Sequence, residues 1–150
     1  MPGWILLIPR SFLGVIFARA VYPKLMAGAG FKTMLAGFLG QTLQTAHPAY
    51  QSFANSLILP HADIFAFLVI GGELYVAIAM LLGFTTRLAS LVAMCLLLNY
   101  MLAKGMSLWT PASNDAADIV LALIVGLGAA GRLFGVDRFL AERWPRAILW

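Results

Sequence analysis

Residues 64–84 read IFAFLVIGGELYVAIAMLLGF, a run of twenty-one positions whose only charge is Glu73. As an α-helix this run is about 30 Å long, the thickness of a bilayer's hydrocarbon core. A carboxylate at that depth costs at least ~2.5 kcal/mol even on lenient insertion scales, so it needs a partner or a use. The run reads as a membrane span built around one buried acid.

The rest of the chain agrees with that reading. Of 150 residues, 62% are hydrophobic and 11% charged, with a mean hydropathy of +0.91. A soluble domain carries about 25% charge and about half apolar residues. This much apolar surface has to face lipid or other helices. Four segments pass the length test for spans: about 4–25, 64–84, 87–103 and 116–134. They make a single membrane domain over 1–150, all-α, an integral membrane four-helix bundle. Pro9 predicts a kink near the start of the first helix, and Pro23 an end to it. Ala18-Arg19-Ala20 looks like a signal-peptidase site. However, Met1-Pro2-Gly3-Trp4 carries no basic side chain and Arg10 interrupts the apolar run, so the segment reads as a retained helix.

The segment 26–60 between the first two spans contains no acidic residue. Phe31, Met34, Leu35, Phe38 and Leu39 follow helical spacing, and Tyr50, Phe53, Ala54, Leu57 and Ile58 repeat it. Two in-plane amphipathic helices joined at His47-Pro48 are expected, forming a lid over one end of the bundle. The turn Gly83–Arg87 is tight and makes the second and third helices antiparallel neighbours. Ser113, Asn114 and Asp115 are placed to cap the fourth helix, with Asp118 in its first turn. After Gly135, the tail 136–150 carries Val136, Phe139, Leu140 and Trp144 on one side, the pattern of an interfacial C-terminal helix.

Charge gives an orientation. Arg87, Arg132, Arg138, Arg143 and Arg146 fall on one side of the membrane, and Lys24, Lys32 and Lys104 on the other. The positive-inside rule puts both termini in the cytoplasm. These arginines flank apolar helices instead of forming a solvated basic face, so nucleic acid is not an expected partner. The lone Cys95, inside the third run, excludes an intrachain disulfide, a C-x-x-C redox pair and a multi-thiolate metal site, and reads as a small buried apolar side chain.

The chemistry centres on Glu73. Arg10 and Arg19, on the first helix, are the expected partners, and Gly71-Gly72 would let a neighbouring helix approach closely. Glu73 is then either half of a buried ion pair or a proton acceptor beside a substrate pocket. Asn99, deep in the third run, would hydrogen-bond another helix or a quinone carbonyl. His47 and His61 lie at the ends of the second lid helix, and His61 could accept a quinol proton. Two histidines without a third ligand do not make a metal site. Lys24, Arg87, Arg132 and Arg138 read as interfacial anchors.

Several stretches together resemble a known family. Gly72-Glu73-Leu74 followed by Leu81-Leu82-Gly83-Phe84-Thr85-Thr86-Arg87-Leu88-Ala89 is similar to the GEL…LLG-x-x-T-R-L-A core of the DoxX/DoxD membrane proteins. Arg10 with Gly14, Lys24-Leu25, and Gly131-Arg132…Gly135-Val136-Asp137-Arg138 also fit that pattern. His47-Pro48, Tyr50, Phe53 and Leu59-Pro60, with Leu98-Asn99-Tyr100-Met101-Leu102-Ala103, Gly105 and Asn114, look more like the DoxD branch, the small subunit of thiosulfate:quinone oxidoreductase. The resemblance implies a small membrane subunit of a redox complex in a bacterial or archaeal cytoplasmic membrane. For the DoxD type it implies quinone-linked oxidation of a sulfur compound, with electrons passing from thiosulfate to quinone, no covalently bound cofactor, and further membrane or soluble redox subunits as partners. A non-catalytic subunit bracing a larger respiratory or photosynthetic complex, and a carrier of a lipophile or small solute, are the competing readings.

Overall fold

The computed structural model describes residues 3–110 and 113–145, and these residues are helical, with no strand among them. A short 3₁₀ turn, Gly3–Leu6, leads into α1 (Leu7–Ala27); α2 (Phe31–Thr42) and α3 (Pro48–Phe53) follow, the latter continuing into a π-helical turn, Ala54–Ile58. Then come α4 (Ala62–Leu82), α5 (Thr86–Ala103), α6 (Asn114–Leu127), α7 (Ala130–Leu133) and α8 (Val136–Arg143). Among the described residues three helices are long and apolar enough to cross a membrane: Trp4–Ala27, Ala62–Leu82 and Thr86–Ala103. Only 28% of the first and 39% of each of the other two is buried inside the protein. The apolar remainder, such as Phe67, Leu68 and Ile78 on α4, is exposed. This is the surface of a membrane protein, apolar outside as well as inside.

Small residues bring the helices together. Ala77, Ala79, Ala89, Ala93 and Ala122 are fully or almost fully buried, and with Leu13, Phe17, Val76, Met80, Leu97 and Val125 they form the main core between α1, α4, α5 and α6. Where lipid replaces water, close packing is the main drive for helix association, and alanine and glycine permit it. At Gly14 α1 packs tightly on α4, since a Cβ there would meet the Leu81 side chain at 2.8 Å. Gly72 instead faces α5, against Leu96 and Val92, and Gly71 has open space around it. The neighbouring helix that comes close at this pair is thus α5, and it does so at Gly72.

The first helix runs through both prolines. Pro9 lies in the first turn, where its missing N–H leaves no gap in the helical ladder. Pro23 is tolerated in the last turns, and the helix ends at Gly28, whose φ of 54° closes it. Between α4 and α5, Gly83 and Thr85 adopt left-handed conformations and reverse the chain within a few residues.

The fourth apolar segment is not the continuous helix expected over 116–134. It stops at Leu127, turns at Gly128 and a left-handed Ala129, and restarts as the single turn α7. The cause lies beyond it: buried Asp137 and the backbone carbonyls of Ala130 and Phe134 are held by α1 and the α4–α5 turn, as described below. Those bonds divert the chain from a straight path. Ser113 caps α6 through the Ala116 N–H, while Asp115 pairs with Lys104 at 2.6 Å instead of capping. Cys95 is exposed on the outer face of α5, not buried.

The two helical stretches expected between the first spans are present, as α2 and as α3 with its π turn. They bury Leu39, Leu43, Ala46, Tyr50, Ala54 and Ile58 against each other and Ala103. Phe31 packs on Ala66 and Val69 of α4. Val136 and Phe139 of α8, and Trp144 just after it, are exposed; residues 146–150 of the expected tail lie outside the described residues.

Candidate functional site

A cavity of about 400 Å³ lies between the α2–α3 segment and the α1, α4 and α5 helices. Its walls are apolar: Phe31, Met34, Leu35, Phe38 and Leu39 from α2, Ile58 from the π turn, Phe65 and Val69 from α4, and Ala20 and Ala103. A few polar groups converge on it, namely Lys24, Tyr50, Glu73, Asn99, Tyr100 and Lys104. An apolar pocket with a small set of convergent polar groups is the usual form of a small-molecule site.

Glu73 is fully buried, and its two oxygens differ. Oε1 accepts from the Lys24 ammonium, in a close ion pair, and from the Tyr100 hydroxyl at 2.7 Å. Oε2 is buried and has no hydrogen-bond partner. Lys24 is held further by the rings of Phe31 and Tyr100, with Nζ 5.6 and 5.3 Å from their centroids. Both are cation–π distances. Three helices thus fix one carboxylate on the cavity wall, one oxygen satisfied and the other buried without a donor.

Neither expected arginine meets Glu73. In an antiparallel pair, each step along one helix is a step back along the other. Gly14 lies against Leu81, and Arg10 against Gly83, so Lys24 reaches the level of Glu73. Arg19 lies on the exposed outer face of α1. Arg10 is buried at the opposite end and donates to the carbonyls of Ala130 at 3.1 Å and Phe134 at 2.5 Å.

Asn99 is on the cavity wall, where its Oδ1 accepts from the Tyr50 hydroxyl at 2.8 Å. This bond ties α3 to α5. Burial pushes the Tyr50 hydroxyl above its ordinary pKa, with the Asn99 bond opposing in part, so it stays a donor at neutral pH. His61 is exposed and outside the cavity, with Nδ1 3.1 Å from the Leu57 carbonyl. Below the same covering segment, Gly105 has a φ of 68° and lies so close to the Thr45 carbonyl that any side chain there would collide.

A second polar cluster, remote from the cavity, joins chain segments. Buried Asp137 accepts from the backbone N–H groups of Thr85 at 2.5 Å and Thr86 at 2.8 Å, and from the Thr86 hydroxyl. Its own N–H donates to the Gly83 carbonyl at 2.9 Å. This carboxylate caps the start of α5 from a distant part of the chain. Gly131 and Gly135 are small because Thr86, Asp137 and the Gly83 backbone occupy the space a side chain would need. In the sequence Asp137, Tyr100 and Lys24 stand out only as part of the family pattern, Lys24 also as an interfacial anchor, whereas in the structure all three make polar contacts with buried groups. A buried aromatic hydroxyl next to Asn99 in an otherwise apolar helix was the available signal for Tyr100.

Comparison with known proteins gives one match. The model of the family described as DoxX matches residues 5–105, which include α1, the covering segment, α4 and α5. No curated protein and no solved structure matches the chain.

Proposed function

The chain belongs to the DoxX family, and from that premise we propose that it is a small membrane subunit whose covered cavity takes the ring of a quinol. The observation that carries this reading is the buried, unpartnered Oε2 of Glu73 at the edge of an apolar cavity. A buried carboxylate oxygen without a donor costs about 1–3 kcal/mol or more. A ligand hydroxyl would supply that donor, and an aromatic ring with an apolar tail would fill walls such as Phe31, Leu39 and Val69.

The chain's own groups suit that task. Lys24 sets a positive charge against Oε1 of Glu73, which leaves Oε2 to accept a hydrogen bond or a proton. Tyr100 orients the carboxylate through Oε1. Asn99 keeps its amide N–H₂ free to donate to a ring oxygen while Oδ1 holds Tyr50. The α2–α3 segment excludes water, which strengthens each of these polar contacts. When bound, the quinol supplies two electrons and two protons, and a partner redox subunit would exchange the electrons.

In this reading α1, α4, α5 and the α6–α7 segment form a four-helix bundle in a bacterial or archaeal cytoplasmic membrane, with α2 and α3 lying in the outer interface. Both termini are cytoplasmic, as the arginines favour.

The test is a titration of the purified chain in lipid nanodiscs with a short-tailed ubiquinol analogue. Glu73→Gln should fold but bind about tenfold or more weakly, the worth of one hydrogen bond to a charged group. Val69→Phe, which adds a ring to the wall, should weaken binding as well. Wild-type affinity in both variants would rule the cavity out and leave Glu73 as a structural ion pair.

A further inference from the structure

The α1 helix carries an unpartnered seam on its outer face. Ile8, Phe12, Val15, Arg19, Tyr22 and Met26 recur at alternating steps of four and three, the spacing of facing positions in a left-handed helix pair. The five apolar members are each 49% to 69% exposed. Arg19 interrupts the seam near its middle, exposed and with no hydrogen bond or ion pair among the described residues. Val15, Ala18, Arg19 and Tyr22 line a shallow groove there. Within the span Trp4–Ala27, Arg19 stands about 5 Å from the midpoint, taking about 1.5 Å per residue. A guanidinium facing hydrocarbon at that depth is expensive, and arginines so placed ordinarily meet a counter-charge.

We propose that this α1 face docks a transmembrane helix of a different subunit, one carrying an Asp or Glu opposite Arg19. Charge complementarity selects that occupant. A symmetric pair of α1 helices from two copies would set Arg19 against Arg19. Of the chain's own carboxylates, Asp63 pairs with Lys32, Glu73 with Lys24, Asp115 with Lys104 and Glu142 with Arg138, while Asp118, without an ion pair among the described residues, is on α6, where a symmetric α1–α1 contact would not bring it to Arg19. Asp137 is buried in its own cluster. A single charge in an apolar seam also fixes the register and identity of the partner helix, as lone polar residues do at such positions. The seam faces away from the quinol cavity, so this surface is independent of the binding site.

The test uses native membranes, with a photoreactive phenylalanine analogue in place of Val15. Irradiation should join the chain to a membrane-spanning segment of another protein that has Asp or Glu at the depth of Arg19. Arg19→Glu should lower the adduct yield about tenfold or more, and replacing the partner's carboxylate with Arg should restore it. Arg19→Leu is well suited to lipid, so it should leave the chain folded while reducing the adduct to a similar extent. Adducts confined to lipid, to a second copy, or to a span without a carboxylate would overturn the proposal. An adduct yield unchanged by Arg19→Glu would do the same.

Discussion

Replacing Lys24 with Met removes the cation from the Glu73 pair and keeps the shape of the side chain. Glu73 would then retain one hydrogen bond, from Tyr100, for a carboxylate with no exposed surface. Removing one member of a buried ion pair costs about 3–5 kcal/mol. The Lys24 side chain is 20% exposed, so water already screens part of the interaction and the lower end, ~3 kcal/mol, applies. For a chain of this size that corresponds to a fall in Tm of roughly 6–12 °C. The assay is thermal unfolding in mild detergent, followed by circular dichroism. The double variant Lys24→Met with Glu73→Gln has no uncompensated charge and should recover at least half of the loss, since neutral replacement of both partners is often tolerated. A single variant within about 1 °C of wild type would refute the claim that Lys24 holds this carboxylate. So would a double variant as unstable as the sum of its singles.

Other perturbations probe the remaining parts of the structure. Gly131→Ala should destabilise by about 1–3 kcal/mol or more, because the new methyl group would overlap Thr86 and Asp137. Gly37→Ala, in open space on α2, should instead stabilise by about 0.5–1 kcal/mol; paired melting curves check both. Tyr50→Phe removes the 2.8 Å bond to Asn99 and should speed amide exchange in α2 and α3 by roughly 2- to 10-fold, leaving α4 and α5 protected. Because burial raises the Tyr50 pKa, the covering segment should be fully held below the ordinary tyrosine range near ~10 and loosen as pH rises through it. Protection factors in α2 and α3, taken relative to the intrinsic exchange rate at each pH, that fall instead between about pH 6 and about pH 8 would contradict that assignment.

The membrane character and the helical covering segment were legible in the sequence because both rest on periodicity and length, which are local. The α4 span follows from one uninterrupted apolar run, and the α2 and α3 helices from repeated spacing. The partner of Glu73 was not legible. Any of Arg10, Arg19 and Lys24 could face it, and the choice depends on the register between α1 and α4, which Gly14 sets through a contact with Leu81. Hydrophobicity could not show the break after Leu127 either. Gly128, Gly131 and Arg132 are the local signals there, but they do not give the chain's direction after the break, which follows from the long-range bonding of Asp137 and Arg10. Asn99 was singled out for its polarity at depth, and it lines the cavity. His61 was singled out for its chemistry alone, and its ring lies outside.

The most direct measurement is the crystal structure of the chain grown in lipid and soaked with a ring-brominated quinol analogue, located by the anomalous signal of bromine. The account predicts one peak inside the cavity, among Tyr50, Glu73, Asn99 and Tyr100, with a ligand oxygen within hydrogen-bond distance of Glu73 Oε2. Bromine found only on the outer faces of the helices, with Oε2 still unpartnered at ligand concentrations that saturate the titration, would contradict it.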